Sequence, residues 1–129
     1  MTEKSYYAKI IKHYLPNPTK SKQSLAIEVK ITKTNVLNFK CLPSHQEEAL
    51  LESERSFGHK IADAGRGKKP FDIFVLRYAI SYMIVIYYKP RATEIFEIPL
   101  REFIHEKYKK WDKSLSIQRA REIGKVIHI

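Results

Sequence analysis

The stretch FDIFVLRYAISYMIVIYY, residues 71–88, limits most sharply what this chain can fold into. It is mostly apolar and long enough to suggest a membrane span. A bilayer span needs about 20 apolar residues, however, and Asp72 and Arg77 are costly inside one. The run is rich in Ile, Val, Tyr and Phe, residues that suit a pleated surface. It therefore reads as two core strands, at 71–77 and 81–88, in a soluble protein with no membrane partner.

The rest of the chain punctuates itself around those strands. Tyr6, Tyr7, Ile10, Ile11, Tyr14 and Leu15 recur at helical spacing over residues 3–15, and Pro16 and Pro18 stop that helix. Residues 24–32 alternate, with Leu25, Ile27, Val29 and Ile31 on one face and Ala26, Glu28, Lys30 and Thr32 on the other. Ser44 and Glu47 have capping-box spacing, with Leu42 as a staple. They predict a helix from Ser44 to Phe57, closed by Gly58, whose inward face is Gln46, Ala49, Leu50, Ser53 and Phe57. A polar loop, HKIADAGRGKKP, precedes the core strands. A further strand at 94–98, a helix carrying Phe103, Ile104, Tyr108 and Trp111, and a short helix ended by Gly124 before a terminal strand complete the pattern. The order predicts an α/β or α+β fold, with a mixed central sheet flanked by helices, in a single domain spanning residues 1–129.

Charge points toward a partner. With 24 Lys and Arg against 14 Asp and Glu, the net charge is +10. Such an excess suits a polyanion, with nucleic acid ahead of an anionic membrane surface. Cys41 is the single cysteine, which excludes an intramolecular disulfide framework and an all-Cys zinc site. The N-terminal MTEKSYYAKIIKHYLP is charged throughout and does not read as a signal peptide. A reducing, cytoplasmic setting is expected. The histidines have neither H-x-x-x-H nor H-E-x-x-H spacing, and no P-loop, dinucleotide fingerprint or G-x-S-x-G is present.

Chemistry concentrates on LAIEVKITK, residues 25–33. Glu28 and Lys30 project from the same face of this strand. Hydrolysis of a phosphodiester calls for a divalent cation held by hard oxygen ligands, and for a group that orients water or offsets phosphate charge. A carboxylate and an ammonium two residues apart on a rigid strand can supply those parts. They can equally form an ordinary ion pair on a solvated edge. Gln46, in the first turn of the next helix, can reach that end of the strand or a phosphate, with the helix dipole favouring an anion. It can also simply help to cap the helix. GRGKK, residues 65–69, adds Arg66, Lys68 and Lys69 on flexible backbone, and Lys20, Lys22, Lys33 and Lys40 flank the strand. Such cations suit phosphates without reading bases, although each one singly is also a common surface residue.

IEVKITKTNVLNFKCLPSHQEEAL resembles the core of the PD-(D/E)xK nuclease superfamily, most closely its Holliday junction resolvases of the RecU type. The matching positions are the E-x-K strand, Glu28 and Lys30, and the His-Gln at the helix start, His45 and Gln46. The resemblance continues through YMIVIYY, EIFEIP and KSLSIQRAREIGKVI. It implies a restriction-endonuclease-like fold and hydrolysis of phosphodiester bonds in branched or duplex DNA. It further implies Mg²⁺ as cofactor, with Mn²⁺ as a substitute, and a homodimer, since two symmetric strands need two cuts. Glu28, Lys30 and Gln46 would be catalytic, and His45, Lys33, Lys40, Arg66, Lys68 and Lys69 would hold DNA.

The family pattern also places an aspartate on the strand before E-x-K, and here no aspartate precedes Asp63. Pro70-Phe71-Asp72 resembles the missing signature but follows the helix. The expected arrangement sets strand 71–77 beside strand 24–32, through a rearranged connection or by exchange between two chains. Asp72 and Glu28 would then share the metal ion, with the Val29 carbonyl as third ligand. Two readings stand beside this one: a nucleic-acid-binding module of the same fold that does not cut, and a basic protein-interaction domain.

Overall fold

A computed structural model describes residues 2–15, 24–55, 57–60, 73–76, 79–109 and 113–129. The chain is α+β. Helix α1 (Lys4–Tyr14) leads to strand β1 (Leu25–Thr32), followed by the short strand β2 (Val36–Asn38) and a 3-10 turn over Phe39–Cys41. Helix α2 (Ser44–Ser53) comes next, then β3 (Phe57–Lys60), β4 (Ile73–Leu76), β5 (Ile80–Tyr87) and β6 (Glu94–Pro99). Helix α3 (Leu100–Lys107), strand β7 (Ser114–Ser116), helix α4 (Ile117–Ile123) and strand β8 (Lys125–Val126) close the order.

The main sheet runs β1-β5-β6-β8. β1 and β5 are parallel, in a register that sets Leu25 beside Ile80 and Thr32 beside Tyr87, whereas β6 is antiparallel to both β5 and β8. β5 is thus an inner strand with both faces covered, and Met83 through Tyr87 are all buried. This placement explains the unbroken apolar run, because an inner strand has no solvent face on which to alternate. No described helix is long and apolar enough to cross a membrane.

Two cores lie on opposite faces of the sheet. On one, Met83, Val85, Phe96 and Ile98 pack with Leu42 and Leu50 around α2, and with Leu100, Phe103, Leu115 and Ala120 from the later elements. Phe103 meets Phe39 edge to face at 5.5 Å between centroids. On the other, α1 lays Tyr6 and Ile10 over Val29, Ile84, Ile86, Ile95 and Ile127. Tyr14 donates to Glu97 Oε2 at 2.5 Å and fixes the end of α1 to β6. The helical stripe read from the sequence divides lengthwise: Tyr6 and Ile10 are buried, while Tyr7, Ile11 and Leu15 remain exposed.

Among the described residues β1 is an edge strand. Ile80 N–H donates to Ser24 C=O at one end and Tyr88 N–H to Thr32 C=O at the other. In a parallel ladder alternate residues address the same neighbour. The even-numbered residues of β1 therefore bond β5, and Leu25, Ile27, Val29 and Ile31 turn their N–H and C=O groups outward. No described strand pairs with that outer edge.

The structure corrects the reading of α2. Pro43, not Ser44, occupies the cap, and its carbonyl accepts from the N–H groups of Gln46 and Glu47 at 3.0 and 3.1 Å. No side-chain cap forms, because Ser44 is already the first helical residue. The helix stops at Ser53 instead of Phe57, since Ala79 N–H takes the Ser53 carbonyl at 3.0 Å and draws the helix end onto β5. The Ser53 and Ser81 hydroxyls, 2.8 Å apart, seal that junction, each bonded to Leu50 C=O. Phe57 and Gly58 belong instead to β3, which pairs antiparallel with β4, so the described part of strand 71–77 lies against β3 and not beside strand 24–32 as the sequence predicts. Ala49 is exposed and Glu47 is buried, so the inward stripe is Glu47, Leu50 and Ser53.

Gly124 ends α4 for a reason of space. A Cβ there would lie 2.9 Å from both Ala120 O and Ile98 Cγ1, so only glycine lets the helix end sit directly on β6.

Candidate functional site

The pleat of β1 divides its residues between the two cores. Ile27, Val29 and Ile31 pack toward α1, and Ala26 packs on the side covered by α2. Glu28 and Lys30 share the face of Ala26. α2 begins beside them, which sets Gln46 in its first turn over the strand. Lys30 Nζ lies 3.2 Å from Glu28 Oε1 and donates to Gln46 Oε1 at 3.2 Å.

The ammonium is held in a fork. Its side chain is only 12 % exposed, against 27 % for Glu28, so the charge sits at the bottom of the site with its two partners around it. A buried ammonium is tolerable only when it is matched, and here it donates to Gln46 and pairs with the Glu28 carboxylate. Cys41 is half-buried; burial pushes its thiol up, while the Lys30 ammonium pulls it down.

The structure therefore brings Glu28, Lys30 and Gln46 together from two separate features of the sequence, the strand and the helix start. Val29 is buried on the α1 side, with its backbone turned to the outer edge of β1. His45 is exposed on the first turn of α2, next to Gln46. Lys40 is exposed beside the start of α2 and lines a depression of about 580 Å³ with Ser44, Lys107, Tyr108 and Lys113. Lys33, exposed just past the end of β1, lines another of about 420 Å³ with Lys89 and Arg121. Arg121 is committed to Glu94 through two hydrogen bonds of 2.9 and 2.6 Å. Asp72, Arg66, Lys68 and Lys69 lie outside the described residues, as do Lys20 and Lys22.

A divalent cation is not accommodated by the described residues alone. Glu28 offers one carboxylate, already engaged by Lys30, and the Val29 carbonyl is a neutral donor. Among the described residues no group of three His, Cys, Asp or Glu side chains comes together to hold a metal ion. A hard cation wants several oxygen ligands, and that set is too small.

Two charged clusters beside the site escaped the sequence. Glu47, read as a capping residue, is buried; its Oε2 accepts from Tyr108 OH at 2.8 Å and its Oε1 lies 3.7 Å from Lys107 Nζ. Lys107 also donates to Leu42 C=O at 2.8 Å, tying α3 to the loop that enters α2. Glu106, 2 % exposed, takes Arg119 and Lys109 on one oxygen at 2.8 and 2.9 Å. The i, i+3 spacing of Glu106 and Lys109 was the available signal for that pair.

Comparison of the chain with known protein families, curated proteins and solved structures found no match.

Proposed function

We propose that the chain is an endodeoxyribonuclease acting on structured or branched DNA, with its site at Glu28, Lys30 and Gln46. The observation that carries this reading is the fork around Lys30, which places one fixed ammonium beside a carboxylate at the mouth of α2. Fixed cations act on a phosphodiester where charge develops, and they need no reorganisation when the reaction occurs. Lys30 supplies that charge, Gln46 holds its direction, and Glu28 pairs with it. Lys40, Lys113 and His45 supply exposed polar groups around the same helix start, where the dipole of α2 adds to their attraction for phosphate.

Mg²⁺ enters this proposal only with a second acid. Asp72 is the residue proposed for that role, within one chain or across a homodimer, and Mn²⁺ would substitute. A Holliday junction is the substrate suggested by the resemblance to RecU-type resolvases, and DNA is the partner suggested by the +10 charge.

One observation favours a second reading, a module of the same architecture that binds nucleic acid without cutting it. Among the described residues Glu28 is the sole carboxylate in the fork, and it is already paired, as in a purely structural ion pair. One experiment separates the two. A branched DNA is incubated with the chain in Mg²⁺ and in Mn²⁺ and scored for nicks, alongside Glu28→Gln and Asp72→Asn. Metal-dependent nicking lost in both variants supports the enzyme. Salt-sensitive binding with intact DNA in either metal supports the module.

A further inference from the structure

Two strands end the main sheet, and they differ in kind. β8 is two residues long, whereas β1 presents eight residues, without proline, along an outer edge that no described strand covers. An open edge of that length is a template for another strand unless something blunts it. We infer that two copies of this chain pair along their β1 edges, antiparallel about a two-fold axis at Val29, and so form one continuous sheet.

The backbone sets the allowed registers. Leu25, Ile27, Val29 and Ile31 turn their N–H and C=O groups outward. A two-fold axis at Val29 sets Val29 against Val29 of the second copy and Ile27 against Ile31, all at hydrogen-bonding positions of an antiparallel ladder.

The side chains choose among those registers. With the axis at Val29, Glu28 stands opposite Lys30 of the second copy, and Lys30 opposite Glu28. These are the non-hydrogen-bonded pairs, in which facing side chains come closest. Moving the axis by one residue sets either Glu28 against Glu28 or Lys30 against Lys30, and like charges directly opposite are destabilising. The E-x-K spacing is thus self-complementary about its middle residue and about no neighbouring one.

The other face of β1 agrees. Tyr7, Ile11 and Leu15 of α1 are 43, 54 and 75 % exposed and, with Leu25, border an apolar groove of about 490 Å³ that runs along the strand. A strand added to the edge has to offer apolar residues on the α1 side and matched charges on the α2 side. β1 itself carries Ile27, Val29 and Ile31 on the first and Glu28 and Lys30 on the second. This inference rests on the sheet and its edge, and it stands whether or not the chain cuts DNA.

Sedimentation of the full chain tests it first. The expected mass is about twice the 15.2 kDa of one chain. Glu28→Lys alone and Lys30→Glu alone should each shift the chain to monomer at the same concentration, and the double reversal should restore the dimer. Amide hydrogen exchange on the unmodified chain is independent of how those variants fold. The amides of Ile27, Val29 and Ile31 should slow by about tenfold or more as concentration rises through the dimerisation range. A chain that stays monomeric at every concentration overturns the inference. So does a dimer indifferent to the single reversals, or one in which those three amides exchange as fast as in the monomer.

Discussion

Gln46 Oε1 accepts a hydrogen bond from Lys30 Nζ at 3.2 Å, joining the first turn of α2 to β1 beneath it. Through this bond a helix start and a strand share one ammonium, and the ammonium in turn meets Glu28. If the group acts on a phosphodiester, removing the ammonium is felt in the rate and not in the fold. Lys30→Met should lower nicking of branched DNA by about 10²–10³-fold, the scale on which a fixed charge-stabilising donor acts. Gln46→Ala should lower it less, since the lysine keeps Glu28. Equal circular dichroism spectra for both variants and the parent establish that the change is chemical.

Binding should follow the basic depression at the start of α2. Lys40 and Lys113 line it and are exposed. A lysine on a phosphate adds about one unit to the dependence of log affinity on log salt, irrespective of base sequence. Lys40→Ala and Lys113→Ala should each lower that slope by about one, measured by fluorescence anisotropy across a salt series. An unchanged slope in both would place the DNA elsewhere.

Glu106 makes the fold acid-sensitive. Its carboxyl lies below the usual carboxylate range, chiefly through hydrogen bonds from Arg119, with Lys109 adding and burial opposing. A group whose folded pKa is depressed stabilises the fold above its unfolded value, near pH 4.3, and loses that contribution as pH falls through the folded value. Melting temperature should therefore drop as pH is lowered from neutrality past this range. Glu106→Gln should melt lower at pH 7 and lose less on acidification. Parallel curves for parent and variant would remove Glu106 from the acid response.

The core over α3 gives a stability prediction of known scale. Phe103 is fully buried and stacked edge to face on Phe39. Phe103→Ala should cost about 3–5 kcal/mol in urea unfolding. Gly124→Ala should cost about 1–3 kcal/mol by overpacking, because the new methyl would press on the backbone oxygen of Ala120. A neutral result at Gly124 would mean that α4 can lift from β6.

The parts of the fold legible in the sequence are those fixed by local periodicity. Period-two alternation placed Glu28 and Lys30 on one face of β1, and first-turn position directed Gln46 to that face. The apolar run resolved into strands because β-branched and aromatic residues dominate it. What escaped was decided by tertiary partners. The end of α2 is set by Ala79, far along the chain, taking the Ser53 carbonyl. The three-residue ladder of β2 with β7 leaves no periodic trace of its own. Glu47 satisfied a capping pattern and yet turns inward to Tyr108, because Pro43 had already occupied the cap. The second acid of the site, read at Asp72, lies outside the described residues.

The parallel pairing of β1 with β5 has a kinetic consequence. β5 and β6 are joined by a short turn and can zip locally, whereas Leu25 reaches Ile80 only after a long loop has closed around α2. Loop closure is costly before its contacts form, so distant parallel pairing is expected late in folding. Glu28 and Lys30 ride on the late strand and Gln46 on the helix within the loop. After dilution from denaturant, hairpin protection at β5–β6 should therefore precede the meeting of these three side chains, and any activity they support should be the last property to return.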